Sequence, residues 1–253
     1  KKFNVFINPG VHPQFEEITN FPPKGVKYFF TKPSGSHNSG FMRWKRIFIT
    51  GVQKYLQVPR IAKISNADKF DLIHSTRGIL IRNKKPWIVD LESGAAFAGL
   101  EWTTLTKPIM KKIIRKYLSS PYCKKILPQS DAAKKTLLEN IDCSGFENKI
   151  ETLYLAYHTT KLKRKDSNTV RISFIGRDFY EKGGNDLQEA FKILNKKYKI
   201  SLKYKGNVPE DKKIKLPNVK YLSNISDKDE FYKEIFGDCD IYVQPTTIDS
   251  FGV

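Results

Sequence analysis

The stretch RISFIGRDFYEKGGNDLQEAFKIL, residues 171–194, passes from an apolar run through glycines into a helical repeat. Residues 171–175 have the content of a buried strand, and Leu187, Ala190, Phe191, Leu194 and Tyr198 recur at helical spacing over 186–198. Between them stand Gly176, Arg177, Glu181, Lys182, Gly183 and Gly184. Glycines at a strand-to-helix turn let backbone approach a ligand, and the amino end of a helix favours anions. Arg177 and Lys182 bring two positive charges to that turn; arginine grips phosphate oxygens with two prongs, whereas lysine acts as a point charge. Together they suit a diphosphate. The competing reading is an ordinary basic loop in a basic protein.

The same alternation extends outward in both directions. On the amino-terminal side, strands are expected at 3–7, 26–30, 71–74, 86–91, 125–127 and 149–155, with helices at 41–56, 105–118 and 131–139. Pro108 suits a first helical turn, and Ser130 is placed to cap the helix after it. Ile109, Ile113 and Ile114 are expected to face the core. Residues 159–169, TTKLKRKDSNT, read as a linker. Beyond the opening stretch, strands follow at 200–204, 219–222 and 241–243, with a helix at 228–236 that Ser226 and Asp229 begin and Gly237 ends. Apolar strands alternating with helices indicate parallel sheets. The economical reading is an α/β chain of two Rossmann-like domains in tandem, residues 1–158 and 170–253.

Composition narrows the function. With 253 residues and 40% hydrophobic content the chain can bury real cores, and no run of about 18 apolar residues exists to span a membrane. The start, KKFNVFINPG, has too short an apolar run for a signal peptide. Cys123, Cys143 and Cys239 lack metal or disulfide spacing and read as reduced thiols of a cytoplasmic protein. The net charge of +19 either reflects compositional bias, since lysine far outnumbers arginine and Asn and Ile are frequent, or points to nucleic acid, anionic lipid or phosphorylated substrates. Nucleic acid is disfavoured, because no RNP-like, KH or zinc-finger pattern is present. Residues 107–135 hold nine Lys or Arg against Asp131 as the one acid, which is either a solvated helix face or a surface for anionic lipid at the inner face of a membrane.

Two motifs in order carry a resemblance. Gly176-Arg177, Glu181-Lys182-Gly183 and Leu187-Gln188-Glu189-Ala190-Phe191 form the first. Asp238-Cys239-Asp240-Ile241-Tyr242-Val243-Gln244-Pro245-Thr246-Thr247-Ile248-Asp249-Ser250-Phe251-Gly252 forms the second. The chain resembles glycosyltransferase family 4, retaining enzymes of the GT-B fold, in which two Rossmann-like domains face each other across a cleft. Residues 125–130 and 149–157 are similar to elements of that family's first domain.

The resemblance implies transfer of a sugar from a nucleotide-diphosphate donor to a saccharide or lipid-linked acceptor, with no cofactor and no metal. Arg177 and Lys182 would hold the leaving diphosphate, with Gly176 and Gly183 beside it. Asp249 would bind sugar hydroxyls, with the amides of Ser250, Phe251 and Gly252 near the donor. Asp-Ser stands where Glu-Gly is commoner, and the second acid of that motif would fall beyond Val253, so the second domain is expected to be incomplete here. Glu92, at the end of the 86–91 strand, takes the place of a family histidine and joins Arg177, Lys182 and Asp249 as a catalytic candidate. Gly10, His37, His74 and Glu92 are acceptor-side candidates, with Asp90 read as structural. Asp238-Cys239-Asp240 matches a metal-binding pattern of another glycosyltransferase fold but is expected to be a helix–strand joint. The alternatives are a nucleotide-sugar epimerase on the same fold and a noncatalytic basic module for RNA or anionic membrane.

Overall fold

The computed structural model describes residues 2–8, 16–30, 59–99, 105–155, 166–222 and 228–247. The chain divides into two compact units, one within Lys1–His158 and the other within Thr159–Asp249. The expected helix at 41–56, the loops carrying Gly10 and His37, most of the 159–169 linker, and Asp249 to Gly252 lie outside the described residues.

In the first unit, β1 (Phe3–Asn8), β2 (Val26–Phe30), β4 (Leu72–Ser75), β6 (Trp87–Leu91) and β7 (Cys123–Pro128) form one sheet in the order β2-β1-β4-β6-β7. Every pairing in it is parallel. A short helix, α1 (Glu16–Asn20), lies between β1 and β2 in the chain. The interior of the sheet is apolar: Ile7, Ile73, Trp87, Val89 and Ile126 are buried. Because the chain runs from β1 outward to β2 and then returns to place β4 on the other side of β1, the switch point of this sheet lies between β1 and β4. Ligands of open α/β sheets bind at the carboxyl ends of strands at such points.

A second parallel pair, β3 (Ile61–Ala62) with β5 (Leu80–Ile81), is not legible in the sequence, since strands of two residues show no period. Helix α2 (Pro108–Leu118) starts with the proline, as expected, and buries Met110, Ile114 and Leu118, one row at i, i+4 and i+8. Ile109 corrects the sequence reading: it is 62% exposed, because the row set by Met110 and Ile114 turns it from the core. Helix α3 (Asp131–Asn140) is capped by Ser130, whose hydroxyl accepts the Ala133 N–H at 3.1 Å. The strand expected over 149–155 shrinks to a bridge between Ile150 and Ile126. The Glu151 and Leu153 amides still bond to β7, but Thr152 and Tyr154 turn their hydroxyls to the Asp131 carboxylate, at 2.9 and 2.8 Å.

In the second unit, β8 (Val170–Asp178), β9 (Ile200–Asn207), β10 (Val219–Leu222) and β11 (Ile241–Tyr242) pair in the order β10-β9-β8-β11, all parallel. Ile200, Leu202 and Tyr204 alternate inward along β9 and pack with Phe174 of β8 and with Leu187 and Phe191 of α4 (Gly184–Leu194). Helix α5 (Lys228–Phe236) ends where Gly237 donates to the Lys233 carbonyl at 3.0 Å. The Ser226–Asp229 capping pair involves side chains outside the described residues. Among the described residues β11 is the outer strand of this sheet, with Ile241 and Tyr242 exposed. Its switch point lies between β8 and β11.

Candidate functional site

The turn from β8 into α4 sits at the switch point of the second sheet. Gly176 pairs with Gly206 and Asp178 with Asn207, so Arg177 is left opposite no residue, a bulge in β8. Bulges commonly mark sites where a strand is re-aimed. The Arg177 side chain lies outside what the structure describes. Asp178 Oδ1 accepts the Glu181 N–H at 2.9 Å, and its carbonyl accepts the Lys182 N–H at 3.2 Å, which folds the turn back on the strand. The Lys182 stem crosses the α-carbon of Gly176, where a Cβ would stand 2.9 Å from Lys182 Cβ and 2.5 Å from the Phe174 ring. The Lys182 ammonium lies 3.7 Å from the Glu181 carboxylate.

Gly183 is the N-cap of α4, at φ 73°, and supplies no side-chain acceptor to the first turn. The Gly183 and Gly184 amides are taken by the Tyr180 and Phe179 carbonyls, at 3.0 and 2.7 Å. Asp186 is the acidic residue of the first turn, and no side chain among the described residues caps the helix. Such an end is ready for an anion, since its amide dipoles point outward and partly unanswered.

The two motifs named from the sequence meet here. Beyond β11, the Thr247 N–H and hydroxyl both donate to the Glu181 carbonyl at 3.1 Å, and the Thr246 hydroxyl reaches the same oxygen at 3.3 Å. A Cβ on Gly183 would run into the Pro245 carbonyl. Glycine at 183 is therefore required twice, by its left-handed backbone and by the approach of residues 245–247. Tyr204, 1% exposed, ends the strand expected over 200–204 and was not singled out in the sequence. Its hydroxyl is buried without a hydrogen-bond partner among the described residues, against the α-carbon of Gly184. Burial pushes its phenol well above the usual range. The lone signal for it in the sequence is a tyrosine at a core position of a strand flanking a glycine pair.

Asp238 and Asp240 clamp one cation. Arg171 Nε and Nη2 donate to the two Asp240 oxygens at 3.0 and 3.2 Å, and Nη1 lies 3.4 Å from Asp238. The pair joins α5 to β8 and β11, the helix–strand joint that its position suggested.

The first unit holds a second polar cluster at the carboxyl ends of its strands. His74 is buried, and its Nε2 lies 2.9 Å from Asp90 Oδ2. Asp90 Oδ1 accepts the Arg77 N–H at 3.0 Å and Gln129 Nε2 at 3.2 Å. Asp90 thus fixes the ring of His74 and the turn after β4, as its structural reading required. Glu92 follows β6 directly and is half-buried. Asn8 Nδ2, at the end of β1, and Gln129 Oε1, at the end of β7, are buried with no partner among the described residues. Nothing in the sequence singled these two out. Of the sequence candidates, Gly176, Lys182 and Gly183 come together in the second unit, with Arg177 in the same turn; His74 and Glu92 belong to the first.

No family model matches the chain, and no curated protein matches its sequence. Solved structures do match its fold. A trehalose-6-phosphate synthase, studied for glycosyl transfer with retention, aligns with 98% of this chain and 79% of its own, at 12% identity and a TM-score of 0.53. A glycosyltransferase from Rickettsia africae ESF-5 aligns with 97% of this chain and 73% of its own, at 13% identity and a TM-score of 0.51. At that identity the likeness is one of fold: two Rossmann-like α/β units in tandem, the GT-B arrangement.

Proposed function

We propose that the protein is a retaining, metal-independent glycosyltransferase of the family 4 type, taking a sugar from a nucleotide-diphosphate donor to a saccharide or lipid-linked acceptor. One observation carries the reading. The glycine turn 176–184 and residues 245–247 converge at the switch point of the second sheet, around an uncapped helix end beside Lys182. That arrangement suits a diphosphate, with backbone amides and a fixed cation facing the charge that develops as the leaving group departs. Arg177 and Lys182 take that group. Asp249 and the amides of Ser250, Phe251 and Gly252, which follow residues 245–247 in the chain, would hold the sugar. Glu92 and His74, with Gly10 and His37, are the acceptor-side candidates of the first unit.

No helix among the described residues is long and apolar enough to cross a membrane. One feature supports work at an anionic membrane surface. Helix α2 carries exposed Ile109 beside Lys107, Lys112 and Lys116, an apolar side chain among cations. The proposed surface for anionic lipid is residues 107–135.

The test is a panel of UDP, GDP, ADP and their sugars, read by thermal shift. A ligand of the native state raises the midpoint with its concentration over its dissociation constant, so the cognate nucleotide stands out. Arg177→Ala and Lys182→Ala should each weaken it about tenfold or more, the value of a charge-assisted phosphate contact. Undiminished nucleotide binding in both variants would overturn the assignment.

A further inference from the structure

Arg60 and Arg77 are brought together by local features of the first unit that the proposed donor site does not use. Arg60 directly precedes β3, and its carbonyl accepts the Leu80 N–H at 2.8 Å while its own N–H bonds to Phe97 O at 3.2 Å. Those bonds hold its backbone beside the segment that runs from Arg77 into β5. Its stem passes Gly99, whose added Cβ would be 3.8 Å from Arg60 Cδ. Arg77 has a φ of 57°, in the left-handed region that a long side chain adopts at a cost of about 1–2 kcal/mol. The strain is imposed from outside: Asp90 Oδ1 holds the Arg77 amide, and Gly78, at φ 67°, abuts Ala96, where a Cβ would stand 2.5 Å from the carbonyl carbon. A strained residue that its surroundings over-determine is a common mark of a binding site.

Both guanidinium-bearing residues are half-buried, and neither forms an ion pair with a carboxylate among the described residues. Burial and the neighbouring Arg77 charge pull Arg60 below the usual arginine range. Two like charges acting on each other partly out of water, with no acidic partner among the described residues, are a cost that a bound anion would remove. Asp90 does not serve: its oxygens are taken by His74, Gln129 and the Arg77 amide. Arg77 lies just past the end of β4, beside the switch point of the first sheet.

We infer that Arg60 and Arg77 form an oxyanion subsite for a phosphate monoester, separate from the diphosphate turn of the second unit. Resting on the glycosyltransferase reading, it makes the acceptor a phosphate-bearing one, in which the paired guanidinium forks hold the phosphoryl group and leave its hydroxyls to the neighbouring strand ends.

The test uses the full chain with two probes, soluble glycerol 3-phosphate by calorimetry and vesicles containing phosphatidic acid by co-sedimentation; glycerol and neutral vesicles are the controls. Arg60→Gln and Arg77→Gln should each weaken at least one phosphate probe about ten- to a hundredfold, and Lys182→Ala should leave it unchanged. The probe affected identifies a soluble or a lipid-borne phosphate. Without ligand, either Gln variant should melt no lower than the wild type, because one of two repelling charges is gone. Should Arg60→Gln fail to fold, Arg60→Lys keeps the stem and charge but loses the two-pronged grip, and should weaken binding several-fold. Retained binding of both probes in the Arg variants, or loss in Lys182→Ala alone, would overturn the subsite. The nucleotide panel reads the second unit independently, so its failure with Arg60-dependent phosphate binding intact would remove the donor assignment alone.

Discussion

Gly183→Ala tests the meeting of the two motifs directly. Alanine at φ 73° costs about 1–2 kcal/mol wherever it occurs. At 183 the new methyl group also runs into the Pro245 carbonyl, a backbone atom that yields only if residues 245–247 move. Overpacking of that kind costs typically about 1–3 kcal/mol more. Gly145 is the matched control: its φ is 83°, but a Cβ there meets nothing within 4 Å, so Gly145→Ala carries the conformational part alone. The expected totals are about 2–5 kcal/mol for Gly183→Ala and about 1–2 for Gly145→Ala. Against a typical domain stability of about 5–15 kcal/mol the difference is measurable.

The distribution of tryptophan sharpens the assay. Trp44, Trp87 and Trp102 all precede residue 158, so tryptophan fluorescence reports the first unit and far-ultraviolet circular dichroism reports both. In urea, Gly183→Ala should shift the dichroism transition and leave the fluorescence transition in place, and Gly145→Ala should move the fluorescence. Displacing residues 245–247 should also weaken nucleotide binding about tenfold, because the turn they brace carries Lys182. Equal destabilisation by the two substitutions, or full nucleotide affinity in Gly183→Ala, would refute the convergence.

Other outcomes follow from individual contacts. Asp90→Ala removes the buried acceptor of the Gln129 and Arg77 amides and the carboxylate that faces His74 Nε2, and should lower stability by about 2–4 kcal/mol in chemical denaturation; a loss below about 0.5 would mean the cluster is not formed. Hydrogen bonds from Tyr154 and Thr152 hold the Asp131 carboxyl below its usual range, so the tie is present at neutral pH and is lost as acid protonates Asp131 beneath the ordinary carboxylate value. Amide exchange at residues 152–155 should accelerate on that descent in the wild type and be fast at all pH values in Asp131→Ala; identical profiles would count against it. Burial lifts the Cys123 thiol to about 12 and, with Asp142 and Glu147 adding, Cys143 to about 11. At pH 8 native protein should therefore alkylate at Cys239 alone and at all three cysteines in urea, as counted by mass spectrometry.

Much of the architecture was readable from order and spacing. The alternation of apolar runs and helical repeats predicted most of the strands and the tandem arrangement, Ser130 and Pro108 marked helix starts, and Gly237 marked an end. These are local signals: a cap or a periodic row depends on residues within a turn or two of chain. The glycine turn at 176–184 was legible for the same reason, since strand, turn and helix are contiguous there. Where a local pattern had two solutions, burial chose between them. Ile109 fits an apolar row as well as Met110 does, and only packing against the sheet turned one in and the other out. Residues 149–155 have strand composition, yet their hydroxyl bonds to Asp131 limited the pairing.

The contacts that make the candidate sites join residues distant in sequence. Thr247 finds the carbonyl of Glu181, His74 finds Asp90, Asp240 finds Arg171, and Arg60 comes to lie by Arg77. A parallel sheet brings such residues together through crossovers, so their partnership depends on strand order and register, neither of which leaves a period in the chain. Residue chemistry and local conformation were written along the polypeptide; which charge answers which, and which stays unanswered, was settled when the strands took their places.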